Sequence, residues 1–200
     1  MAEGRGNLDS IEAGLTFEYD ASSPLPDDLV AHREEFDTLP DEQQAKHIYA
    51  LAGLALYASQ CLEVSLQQIL LLQAKARGEI RILAEHDALE QRFSRHTLGR
   101  LLVTAREKVD INTNAASMLE HALDTRNRLA HGYFWSHAED FCTTNGQRAM
   151  MEELLRFIRL FRLADRFCDA IVHVLLQTLG ITKEQVEREY ARMMDGLQDT

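Results

Sequence analysis

The chain has 200 residues, 46% of them hydrophobic, and a formal net charge of -11 at pH 7. That is enough apolar chain for one domain with a sizeable core, and with only three prolines and ten glycines it reads as all-α rather than as a turn-rich β fold. The three widely spaced cysteines, Cys61, Cys142 and Cys168, argue against a disulfide framework and suit free thiols in a reducing compartment.

No Cys-x-x-Cys or His-Glu-x-x-His pattern is present, so neither a metal site nor a cofactor is expected. The first ten residues are polar and lack the apolar run of a signal peptide. The longest apolar run, Ile48 to Ala58, falls short of the roughly 20 residues that span a bilayer. The expectation is a soluble cytoplasmic protein with no membrane partner. The charge is concentrated: residues 1–42 carry twelve acids and two arginines, a net of -10, which leaves -1 for the rest and room for a local anion site there.

In chain order, residues 1–40 form an acidic extension. Residues 1–25 read as an extended or disordered lead-in, followed by a short helix from Asp27 to Phe36 and a break at Leu39-Pro40. The helical domain proper spans 41–200. Its first long helix runs from Asp41 to about Arg77, capped by Thr38 or Asp41 and stopped by Gly78. It is apolar all round between Ile48 and Ala58, then carries a polar stripe at Gln60, Glu63 and Gln67 that either faces solvent or brings Glu63 to a functional site.

Helical runs follow over Ile80–Phe93 and Arg100–Lys108, and between residues 91 and 108 Arg92, Arg95, Arg100, Arg106 and Lys108 are opposed only by Glu107. This is a solvated face or a basic surface for a polyanion. A further helix, Ala115 to about His131, is capped by Thr113 or Asn114, with Gly132 as its left-handed stop. The loop Ser136–Gln147 holds His137, Glu139 and Asp140, read as solvated rather than metal-binding. A second long helix, Ala149 to Leu179, ends at Gly180. Its arginines Arg156, Arg159, Arg162 and Arg166 either pair with acids, including those of the N-terminal run, or extend a phosphate-binding surface. Thr182 caps a short brace helix through Met194.

Chemistry concentrates at Arg126-Asn127-Arg128-Leu129-Ala130-His131-Gly132-Tyr133, where a helix is about to stop. Arginine offers a planar, permanently charged fork for phosphate, and histidine ionises nearest neutrality, so the pair suits phosphodiester chemistry without a metal. The plainer alternative is a pair of cations capping a helix C-terminus. Asn127 and His131, four residues apart, share a helix face, whereas Arg126 and His131 point about 140° apart, so one helix cannot close the site alone.

The run from Arg126-Asn127 to His131, with Tyr133 two residues on, resembles the signature of the HEPN superfamily, a group of small helical bundles. The resemblance covers eight residues. It implies an antiparallel bundle and a symmetric homodimer that apposes two copies of the motif to cleave RNA. Arg126, Asn127 and His131 would be catalytic, with Glu63 and Tyr133 in support. It further implies a toxin or defence role, with a nucleotidyltransferase antitoxin that modifies Tyr133 as a candidate partner. The alternative is a non-catalytic helical dimer that binds nucleotide or protein through the same surface.

Overall fold

The computed structural model describes residues 23–109 and 111–198 and is all-helical over them, with no strand among the described residues. Eight α-helices follow one another: α1 (Asp27–Thr38), α2 (Asp41–Ala76), α3 (Leu83–Phe93), α4 (Leu98–Lys108), α5 (Thr113–His131), α6 (Tyr133–Ser136), α7 (Thr144–Thr178) and α8 (Lys183–Gln198), with a 3-10 turn at Asp140–Cys142 ahead of α7. The lead-in expected over 1–25 lies almost wholly outside the described residues.

The two long helices form the spine of a bundle. Leu51, Leu62, Leu66, Ile69 and Leu70 of α2 pack with Leu154, Ile158, Phe161 and Leu175 of α7, nearly all fully buried. Each such side chain contributes about 1.5–3 kcal/mol by leaving water. α2 and α7 run in the same direction: Tyr49 meets Phe141 just ahead of α7, and Ser65 donates to Asp165 at 2.6 Å near its middle. The antiparallel relation expected between them is therefore not found. It is α1 and α5 that run against α7. Asp28 pairs with Arg162 and Asp37 with Arg148 on one side, and Arg128 pairs with Glu153 and Tyr133 bonds Met150 on the other. Four intervening helices carry the chain back between the two parallel ones.

α1 belongs to this core. Leu29 and Phe36 are buried, and its ion pairs tie the acidic extension to α7 through Asp28–Arg162, Asp37–Arg148 and Arg33–Glu152. Arg159, also on α7, donates to the Ser23 carbonyl at 2.5 Å. The pairing of α7 arginines with the N-terminal run thus holds for Arg159 and Arg162.

Helix ends explain where the sequence reading slipped. Gly78 (φ 74°) and Gly180 (φ 72°) adopt the left-handed conformation expected of them. Both close the same two-bond motif: Glu79 N–H reaches the Ala74 carbonyl and Gly78 N–H that of Lys75, as Ile181 reaches Leu176 and Gly180 reaches Gln177. Gly132 does not, since its φ is -151° and the chain re-enters helix at once as α6. The caps also differ. Pro40 precedes α2 without a side-chain cap, Asn112 rather than Thr113 or Asn114 caps α5 by accepting from Ala115 N–H, and Thr143 starts α7 five residues early by accepting from Gly146 N–H. Thr182 caps α8 in a reciprocal pair with Gln185.

α2 is also the one helix among the described residues long and apolar enough, by length and composition, to cross a bilayer, with an 18-residue window of mean hydropathy 1.2. Its apolar surface serves the bundle on one side only. On the other, Tyr49, Gly53, Leu56, Tyr57, Gln60 and Val64 stand exposed at helical spacing, with Tyr57 62% and Val64 50% accessible.

Candidate functional site

The orientation of α5 places the motif. Ala115, Met118, Leu119, Ala122, Thr125 and Leu129 form its buried face, which puts Arg126 on the flank toward α2 and turns Asn127 and His131 outward. Arg126 meets Glu63 of α2, with Nη2 3.2 Å from Oε1 and both side chains about three-quarters buried. That oxygen is enclosed but has no well-aligned hydrogen bond, so the contact is charge against charge. The remaining guanidinium edge reaches only the Asn127 amide oxygen, at 3.5 Å. Of the two readings of the α2 polar stripe, the one that brings Glu63 to the motif is what the fold adopts. Gln60 stays exposed and Gln67 is half-buried.

His131 is exposed at the last residue of α5 and makes no hydrogen bond or ion pair within the described residues. One protomer therefore brings Glu63, Arg126 and Asn127 together and leaves His131 apart.

Tyr133 is placed differently from expectation. It is 1% accessible, with its ring among those of Phe134, His137 and Phe157 and its hydroxyl donating to the Met150 carbonyl at 3.1 Å. Burial, and secondarily the nearby Glu153 carboxylate, push its phenol well above the ordinary tyrosine range. It is a neutral core side chain, and a modifying enzyme would reach its hydroxyl only after α6 had left the core. The sequence carried a signal for this: Phe134 and Trp135 beside it are a helical apolar run, of which only Trp135, 89% accessible, stays outside.

The other flank of α5 brings arginines the sequence singled out beside His121 and Glu153, which it passed over. His121 and Arg128 of α5 face Glu153, Arg156, Phe157, Arg159 and Leu160 of α7 across a cavity of about 210 Å³. Arg128 pairs with Glu153 at 2.7 Å and lies 4.7 Å above the Phe157 ring. Glu153 also faces His137 Nε2 at 3.0 Å, while His137 Nδ1 faces Asp140 at 2.8 Å. His137 and Asp140 are thus held in a network with Glu153 and Arg128, and Glu139 lies apart from it, exposed. Of the arginines here, Arg156 is exposed and carries no carboxylate partner among the described residues.

On the α3–α4 side, Arg106 is neutralised by Glu120 and Lys108 lies 3.8 Å from Glu79. Arg92, Arg95 and Arg100 stay exposed without a carboxylate partner among the described residues. Arg100 and Arg92, after desolvation, help hold the His96 imidazole below its ordinary value.

No family model matches this chain. No curated protein and no solved structure matches it either. The functional reading rests on the geometry above.

Proposed function

We propose that this chain is a metal-independent endoribonuclease of the HEPN kind, acting as a two-fold homodimer that brings two α5 motifs to one RNA phosphate. The observation that carries this reading is the division of the motif. Arg126 is fixed on the α2 flank by Glu63, while Asn127 and His131 face outward on α5, exposed and, for His131, without an internal partner. A second copy is what such a half-site lacks, and the uncovered apolar stripe of α2 from Tyr49 to Val64 is a surface on which one can dock.

The chemistry follows from what two copies supply. His131 of one protomer, as the neutral imidazole, takes the proton from the ribose 2′-hydroxyl as its oxygen attacks phosphorus. His131 of the other, as the imidazolium, gives its proton to the 5′-oxygen as that P–O bond breaks. The Arg126 pair stabilises the charge on the phosphorane, and Glu63 keeps each guanidinium in place. The products end in a 2′,3′-cyclic phosphate and a 5′-hydroxyl, and exchange with water restores both histidines. The exposed Arg92, Arg95 and Arg100 add positive surface for the polyanion.

The runner-up is a non-catalytic dimer that binds nucleotide or protein. What favours it is that Glu63 already neutralises Arg126. One experiment separates the two: RNA incubated with wild type, His131→Ala and Arg126→Ala, with and without EDTA, beside filter binding. The nuclease reading requires cleavage that persists in EDTA, turnover lost by about 10²- to 10⁴-fold in His131→Ala with RNA still retained, and loss of both in Arg126→Ala. Cleavage by His131→Ala at the wild-type rate, or activity restored only by Mg²⁺ or Mn²⁺, leaves the binding module standing.

A further inference from the structure

We propose that His32, Glu35 and His47 form a binding site for one divalent transition-metal ion of the zinc class, clasping α1 to the start of α2. One ring nitrogen of each histidine and one carboxylate oxygen of Glu35 lie within 4.8 Å of one another. His32 and Glu35 leave α1 on the same face, three residues apart, with Nδ1 3.8 Å from Oε2. His47 comes from the second turn of α2, its ring edge-on to that of His32 with centroids 5.7 Å apart.

A second observation points to a ligand. Nε2 of His47 is shut off from solvent and has no hydrogen-bond partner. Its ring neighbours are His32 and Phe36, and the Phe36 ring, 5.9 Å away, has no donor for a nitrogen lone pair and only a weak π face for an N–H. Folded proteins seldom leave a buried polar atom orphaned. Here the orphan sits in a group whose other members are metal-ligand types.

The donor set selects the ion. Two imidazoles and one carboxylate are borderline donors suited to Zn²⁺ and its neighbours, whereas Mg²⁺ and Ca²⁺ take oxygen cages. Metal–nitrogen bonds of about 2.0–2.1 Å require the three donors to draw in to roughly 3.3 Å of one another. Glu35 is exposed, and among the described residues its carboxylate pairs with His32 alone, at 3.8 Å, so it can swing inward. Three protein ligands leave a position for water.

A second group, His86, Asp87 and Glu90, passes the same distance test, but all three lie on α3 and none is an orphaned buried donor. It serves as the control. The proposal does not depend on the nuclease reading: it concerns the start of α2, about 24 Å along the helix from Glu63, and predicts binding, not turnover.

The test uses the full chain, dialysed against EDTA and then against metal-free buffer. Co²⁺ is titrated in while its visible ligand-field absorption is followed, and Zn²⁺ is added to displace it. The expected result is one equivalent bound per chain, weakened by about tenfold or more in His47→Gln and in His32→Ala, the scale on which even outer-shell support of a metal tells. His86→Ala is expected to bind as wild type does. Zn²⁺ is also expected to raise the melting temperature of wild type but not of His47→Gln. Absence of the ligand-field band, or binding that survives His47→Gln and His32→Ala, or binding lost in His86→Ala, overturns the proposal. If His47→Gln does not fold, His32→Ala and Glu35→Gln, both nearer the surface, decide it by the same titration.

Discussion

The guanidinium of Arg126 lies 3.2 Å from the carboxylate of Glu63, across the seam between α5 and α2. Two residues more than sixty positions apart in the chain thus share one largely buried charge pair at the motif. Held this way, Arg126 cannot sweep through the rotamers open to a surface arginine, and the cost of ordering it is met on folding.

Glu63→Gln separates orientation from charge. The amide keeps the shape but gives up the charge attraction that holds Arg126. Turnover is expected to fall by roughly tenfold to a hundredfold, because small misplacements of a transition-state group are costly. RNA retention should not weaken, since a negative charge has been removed from the phosphate site. Single-turnover cleavage beside filter binding checks this, and a variant that loses both together would mean that Glu63 contacts the RNA directly.

Tyr133→Phe is expected to leave cleavage at the wild-type rate. The hydroxyl it removes belongs to the core and touches Met150 rather than the exposed motif face. Stability should fall by about 1 kcal/mol for one lost hydrogen bond, read by denaturant titration. A large loss of activity with an intact fold would place this hydroxyl in the site after all.

Tyr57→Glu puts a charge in the middle of the exposed apolar stripe, at a side chain 62% accessible. It should leave the melting behaviour of the isolated chain unchanged and shift the mass measured by light scattering from dimer to monomer, taking any cleavage with it. A wild-type chain that is already monomeric at micromolar concentration counts against the dimer.

The attachment of α1 should be sensitive to acid. The hydrogen bond from Arg162, and less so its charge, holds the Asp28 carboxyl below its ordinary value. A folded-state value depressed in this way stabilises above the unfolded value of about 3.9 and is lost as pH falls through the folded one. Wild type should therefore melt above Asp28→Asn at neutral pH, with the gap closing below about pH 3.9 and narrowing with added salt, since the pair is exposed. A gap independent of pH would locate the effect of Asn elsewhere.

Much of this fold was legible along the chain, and what was not has identifiable causes. The lengths of α2 and α7 follow from uninterrupted apolar periodicity, and Gly78 and Gly180 stop them in the conformation only glycine adopts without strain. Gly132 carried the same signal and meant something else, because Tyr133, Phe134 and Trp135 are apolar enough to start α6 and to pull Tyr133 into the core. The parallel relation of α2 and α7 was hidden, since it depends on how four short helices return between them. For the site, the spacing of Arg126, Asn127 and His131 on α5 could be read from helix geometry alone. That Glu63 rather than Gln60 or Gln67 reaches Arg126 could not, because it depends on the rotation of α2 against a helix far away in sequence. His32 and His47 were silent for the same reason, lying on different helices with no motif spacing to join them.

The exposed stripe on α2 also limits where a symmetry axis can pass. Tyr49 to Val64 spans about 22 Å of helix, and its midpoint, near Leu56 and Tyr57, lies about 10 Å from Glu63 along the helix axis. If the two-fold crossed at that midpoint with the α2 helices nearly antiparallel, the two Glu63–Arg126 pairs would stand about 20 Å apart, too far for one phosphate. Such a dimer would hold two half-sites that never meet. A crossing displaced toward Gln60 and Gln67 closes that distance and leaves Tyr49 outside the contact. The point at which two copies of one helix cross, displaced by about two turns, is therefore what divides a composite catalytic centre from a pair of separate binding surfaces.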